Sequence, residues 1–307
     1  VDPEIGAVTA ALIGALAYGT GDFMGGRAAL RVNTFMAVAV AQTVAVAYML
    51  HVFAQSAQTS IDDGAFQQSI VAGLAYSGGL LLLYHGLAHG RIAVVAPLCG
   101  LFSILVPLAG DLHYDREIGE WGMIGIAFCA LAVILIAGSG IPDPAGRPLG
   151  YSVRLGIASG LGYGAADLLL GSLPADQASG ALLTARIVAA AVAVALLAGS
   201  LFAVRTVTRS GPLVASTGLV VRPSPNHLRF VVAGLALAAT AGVFDMVGQI
   251  GYVVAATQGS MGVAAGLVAL FPAVSVVLAV VILREPVSVR QLYGFAASMV
   301  GVSLVSI

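Results

Sequence analysis

The chain has 307 residues, with 13 Lys+Arg, 14 Asp+Glu and a hydrophobic fraction of 59%, so charged residues make up only 9%. Soluble domains carry about 25% charge, and with a mean hydropathy of +1.01 the polar residues are too few to cover a soluble surface. Soluble, disordered and fibrous classes are excluded, and an all-α integral membrane protein is expected.

A bilayer span needs about 20 mostly apolar residues. In chain order ten stretches qualify: 5–26, 34–53, 70–88, 92–112, 119–137, 155–173, 181–204, 230–255, 261–283 and 289–307. Most are rich in Gly, Ala and Ser, the small residues that let helices approach closely in lipid. The alternating strands of about ten residues that mark an outer-membrane barrel are absent. Residues 1–5 carry Asp2 and Glu4 where a cleaved leader would be positive, so the first stretch is read as a retained span.

An even number of spans puts both termini on one face. The chain has no lysine, so orientation rests on arginine. Arg27, Arg31, Arg91, Arg147, Arg154, Arg205, Arg209, Arg222, Arg229, Arg284 and Arg290 share one face, Arg116 lies on the terminus-bearing face, and Arg186 sits inside a span. The positive-inside rule makes the arginine-rich face cytoplasmic and the termini external, in a multi-pass protein of the cell (inner or plasma) membrane. The connection 204–229, with Pro212, Pro223 and Pro225, reads as a cytoplasmic loop.

The chain also repeats itself. Residues 16–26 read LAYGTGDFMGG and residues 161–171 read LGYGAADLLLG, both fitting L-x-Y-G-x-x-D-x-x-x-G. Tyr18 thus corresponds to Tyr163, Asp22 to Asp167 and Gly26 to Gly171. Further on, Leu101-Phe102 matches Leu270-Phe271, and Arg116-Glu117 matches Arg284-Glu285. Five spans per half is odd, so the second half is inserted upside down. The expected organisation is ten transmembrane helices in two inverted five-helix repeats, over 1–140 and 141–307. Inverted repeats are typical of carriers that rock around a midplane site.

These segments, with VAPLCGLFSILVPLAGDLHYDREIGEWGMIG and LVALFPAVSVVLAVVILREPVSVRQLYG, resemble the drug/metabolite transporter superfamily, specifically its EamA-type ten-span members. The resemblance spans nearly the whole chain. Family members typically have Gly-Glu before spans five and ten, where this chain has Arg-Glu twice. The resemblance implies transport and cytoplasmic termini, the latter opposite to the arginine distribution. It does not name a substrate.

An ionisable side chain at the centre of a span costs about 2.5–3.5 kcal/mol and is a functional-site hypothesis by default. Asp22, Asp167, Asp245 and Arg186 qualify. Tyr18 and Tyr163 each precede their aspartate by four residues and share its helix face. Each aspartate lies about 8 Å from its helix end, so inversion places the two on opposite sides of the midplane. They can bind a cationic group or exchange a proton; alternatively, Asp22 pairs with Arg27 or Arg31. In the repeat register Arg186 corresponds to Gln42 and Asp245 to Tyr76. One half thus gains a cation and an anion together, which points to a pair, with Asp167 in reach of Arg186. Gln249 follows Asp245 by one turn on the same face.

Gln42, Tyr76, Tyr84 and His85 are weaker candidates. His85 and His89 share a face but lack an accompanying acid, so no metal site is expected. Glu117 and Glu285 are read as helix-opening caps, with Pro286 in a first turn. Asp62-Asp63 is read as a solvated loop.

No G-x-x-x-x-G-K-[ST] loop occurs, so transport is expected to be secondary. No D-D-x-x-D or G-x-S-x-G pattern supports an enzyme. The net charge of −1 says nothing about nucleic acid, but no basic run exists that could neutralise several phosphates, so no nucleic-acid partner is expected. Cys99 and Cys129 lie in apolar stretches and form no disulfide framework, and no cofactor is expected. The polar set suits a small polar or zwitterionic, amino-acid-like metabolite moved by alternating access, with protons as a further partner for export. A cationic drug or toxic-compound exporter is the nearest alternative, and a channel or structural membrane protein is another class. A homodimer is compatible with the sequence.

Overall fold

The computed structural model describes residues 3–55, 61–113, 120–137, 148–174, 176–210, 225–258, 268 and 270–305. Among these the regular structure is helical: α1 Pro3–Val32, α2 Thr34–Ala54, α3 Asp63–His89, α4 Ile92–His113, α5 Glu120–Ala137, α6 Leu149–Gly171, α7 Ala178–Ser210, α8 Pro225–Gln258, α9 Phe271–Leu283 and α10 Val289–Val305. Five contain stretches long and apolar enough to cross a membrane: Ile5–Val32, Thr34–Ala54, Asp63–His89, Ser179–Phe202 and Leu228–Tyr252. Ile92–Val106 and Phe271–Leu283 are shorter apolar helices.

The helices outrun the expected spans wherever polar residues can continue the backbone ladder. Helix α1 runs through Arg27 and Arg31, and α6 starts at Leu149. Helix α3 starts at Asp63 because Asp62 caps it: its Oδ1 accepts the Ala65 amide proton at 2.8 Å. Asp62 is also tied to Gln177, whose Nε2 donates to Asp62 Oδ2 at 2.9 Å and whose Oε1 accepts from the Asp62 amide at 3.2 Å. Asp62 therefore fastens the start of α3 to the α6–α7 turn. The connection expected over 204–229 is helical at both ends, through Ser210 and from Pro225; its middle, including Arg222, lies outside the described residues. So do Arg116, Glu117, Arg147 and most of 261–270.

The α10 start corrects an expectation. Glu285 and Pro286 precede the helix, and the cap is a reciprocal Ser288–Gln291 box. The Ser288 amide donates to Gln291 Oε1 at 3.0 Å, and the Gln291 amide donates to Ser288 Oγ at 3.1 Å. Glu285 instead turns to the first turn of α4, where the Ala93 amide donates to its Oε1 at 3.5 Å.

Packing follows the repeat register. Helix α1 lies along α8, and its counterpart α6 lies along α3; α2 crosses α7, and α5 packs on α10. Small residues set these crossings. On α3, a Cβ at Gly73 would press on the Ala185 carbonyl of α7, and on α8 a Cβ at Gly242 would press on the Ala41 carbonyl of α2. Ala41 and Ala185 immediately precede the matched pair Gln42 and Arg186, and Gly73 and Gly242 stand one turn before Tyr76 and Asp245. The same register therefore holds in sequence and in space.

Candidate functional site

The crossing of α3, α7 and α8 gathers the interior charge. Arg186, 3% exposed, donates from Nη1 to Asp245 Oδ2 at 2.5 Å and from Nη2 to Gln249 Oε1 at 3.0 Å. Asp245 and Gln249 stand one turn apart on α8, so one guanidinium spans both. The second oxygen of Asp245 accepts from the Tyr76 hydroxyl at 3.0 Å. The Tyr76 ring lies beneath the guanidinium, 4.4 Å from its carbon to the ring centroid, within cation–π range. From α1 the Tyr18 hydroxyl donates to Gln249 Oε1 at 3.3 Å. The Tyr163 ring of α6 meets Tyr76 edge-on at 5.1 Å.

Five of these side chains, from four helices, form one hydrogen-bonded network whose links all cross between elements, with the Tyr163 ring packed against it. Burying an ion pair is tolerable only when the remaining lone pairs and protons are satisfied. Here both Asp245 oxygens are engaged, and of its five N–H donors Arg186 turns some to Asp245, Gln249 and Tyr76. The remaining donors can take an oxyanion.

Asp22 and Asp167 stand apart from that network. Among the described residues neither makes a hydrogen bond or an ion pair, and none joins Asp22 to Arg27 or Arg31. Arg31 lies over the Phe230 ring instead, at 5.8 Å. Asp22 is half-buried, within electrostatic range of Asp245, Tyr76 and Tyr84. Asp167 is exposed, within electrostatic range of Arg186 and Tyr252. Two carboxylates, one from each repeat and neither with a hydrogen-bond or ion-pair partner among the described residues, therefore stand within electrostatic range of the neutralised pair.

The remaining candidates separate. Tyr76, a weaker candidate in sequence because it carries no charge, is central, and its register match to Asp245 is the sequence signal that points to it. Gln42 is 1% exposed, and its Oε1 has no hydrogen-bond partner among the described residues. Tyr84, 2% exposed, packs its ring against Gly25 of α1. His85 lies off the centre towards the arginine-rich face. It contacts the Tyr151 hydroxyl at 2.8 Å and Thr34 Oγ1 at 3.4 Å and stacks on His89 at 4.5 Å. No third metal-ligating side chain joins that histidine pair among the described residues.

The fold and the buried polar centre define a multi-pass helical membrane protein of two repeats. The model of the EamA-like transporter family matches residues 5–138 and again 150–307, once per repeat. The chain belongs to the EamA-like transporter family, and is a membrane transporter by that membership. A solved structure titled "Crystal structure of protein" has the same fold, with a TM-score of 0.52 at 15% identity over 96% of each chain. No curated protein matches the sequence.

Proposed function

We propose that the protein is a ten-span secondary transporter that moves a small polar or zwitterionic, amino-acid-like metabolite by alternating access. The arginine-rich face is cytoplasmic and the termini external. The observation that carries this reading is the Arg186–Asp245 pair, held by Tyr76 and Gln249 where the two repeats cross. A site shared by both halves is one that rocking between them exposes to either side. The Arg186 guanidinium suits a carboxylate or other oxyanion, and Asp22 and Asp167 suit an ammonium group. A zwitterion uses both.

The carboxylates of Asp22 and Asp167, unpaired among the described residues, favour a second reading, export of a cationic compound in exchange for protons. Uptake into proteoliposomes of a metabolite panel, with and without a pH gradient, separates the two. Amino-acid-like substrates should be moved by the wild-type protein and lost with Asp245→Asn and Arg186→Gln. If organic cations are moved instead and Arg186→Gln is silent, the exporter reading holds.

A further inference from the structure

A cavity of about 580 Å³ lies at the arginine-rich end of α1, α2 and α3 and shares no lining residue with the Arg186 centre. Its apolar wall is Ala29 and Leu30 of α1, Phe35 of α2, and Leu81 and Leu82 of α3. Its polar end is Asn33, Thr34, His85 and His89. The two parts lie at different depths. Leu81 and Leu82 stand two turns inside the end of α3, whereas His89 ends that helix and Asn33 caps α2. The cavity is thus polar at its shallow end and apolar further in.

Donors are left over at the polar end. Asn33 stands at φ 83° and ψ 159°, a backbone region essentially reserved for glycine. There its Oδ1 accepts the Met36 amide proton at 2.9 Å, and its carbonyl accepts that of Ala37 at 3.0 Å. The Thr34 and Phe35 amides, the first two of α2, and Asn33 Nδ2 have no partner among the described residues. His89 Nδ1 donates to the His85 carbonyl at 3.2 Å. That leaves His89 Nε2, a donor when the ring is charged, without a partner among the described residues. His85, held by Thr34 Oγ1 and the Tyr151 hydroxyl, stacks on the His89 ring and steadies it. Amides at a helix start suit an anion, and Arg27, Arg31 and Arg91 near the ends of α1 and α3 add positive potential.

The deep end continues into apolar surface. Residues 71, 74, 81, 82, 85 and 89 fall on one face of α3. Val71 and Leu74, three and two turns further in, are exposed, as are Leu30 and Phe35. A free anion would use the polar end and leave the leucines against water. A purely apolar molecule would cover the leucines and leave the donors unpaired. We infer that the cavity holds one anionic phospholipid of the surrounding bilayer, its phosphate at the Thr34 and Phe35 amides beside His89 and one acyl chain along Leu81 and Leu82. Positive pockets between membrane helices, polar at the surface, take lipid headgroups. Bound there, the lipid ties α1, α2 and α3 to one another. The site stands whichever solute the protein moves.

The test is native mass spectrometry of the full chain, purified with phosphatidylglycerol or with phosphatidylcholine. One phosphatidylglycerol should stay on the wild-type protein through a delipidation that strips phosphatidylcholine. Leu82→Trp, which fills the apolar part, and His89→Ala, which removes a headgroup donor, should each lower that retention about tenfold. Val71→Trp, on the same face but outside the cavity, should leave it unchanged. Equal retention by wild type and all three variants, or equal retention of the two lipids, overturns the inference. Displacement of the lipid by millimolar inorganic phosphate would make a free anion the occupant and overturns it as well. If Leu82→Trp does not fold, the wild-type protein decides. Phosphatidylglycerol with a diazirine in its acyl chain should label α3 at Leu81 and Leu82 above the other exposed apolar helix faces, and even labelling overturns the inference.

Discussion

Tyr76 donates to Asp245 across 3.0 Å, and the two occupy the same position in the two repeats. Residues related by a twofold operation can touch only near its axis, so this hydrogen bond marks where the pseudo-symmetry axis crosses the bundle. The halves differ at that point: one copy carries a carboxylate, the other the phenol that hydrogen-bonds to it. The same break separates Arg186 from Gln42.

Removing one member of the buried pair should be costly. Asp245→Asn or Arg186→Gln leaves the other charge without its counter-ion, an effect of about 3–5 kcal/mol, read as a lower melting temperature in detergent. The apolar double variant Arg186→Met, Asp245→Leu is expected to recover most of that stability and none of the transport. Full transport by the double variant would reduce the pair to a packing device.

Tyr76→Phe keeps the ring beneath Arg186 and removes the donor to Asp245. A hydrogen bond to a charged group is worth about 1.5–3 kcal/mol, so a modest stability loss should accompany weaker substrate affinity. Tyr76→Leu also removes the cation–π contact, a further loss of about 0.5–2 kcal/mol. Equal melting temperatures for the two variants would show that the ring contact contributes nothing.

The clasp between Asp62 and Gln177 should be pH-dependent. The Ala65 amide, and after it Gln177, hold the exposed Asp62 carboxyl below the usual carboxylate range. A depressed folded-state value contributes stability above the unfolded value of about 3.9. That contribution is lost as pH falls through the folded value. Asp62→Ala should therefore lower the melting temperature at neutral pH, and the difference from wild type should vanish in strong acid. A difference that grows as pH falls would contradict this.

Much of this was legible in the sequence because charge is scarce. Four ionisable residues in apolar stretches stood out against lipid, and the L-x-Y-G-x-x-D motif gave the register that places Gln42 opposite Arg186. What stayed hidden was geometry that hydropathy does not encode. Tyr76 carries no charge to mark it. The start of α3 depends on the cap at Asp62, and the long α7 and α8 continue through arginines that hydropathy assigns to a loop. Glu285 and Pro286 read as the opening of a helix, but the Ser288–Gln291 box is the better cap and frees Glu285 to reach α4.

The central claim is that the Arg186–Asp245 centre binds what this protein moves. It is tested most directly by counterflow of labelled amino-acid-like zwitterions in proteoliposomes, comparing wild type with the apolar Arg186→Met, Asp245→Leu protein at equal folded amounts. Exchange by wild type and none by the variant is the expected result. Equal exchange by both would contradict the claim.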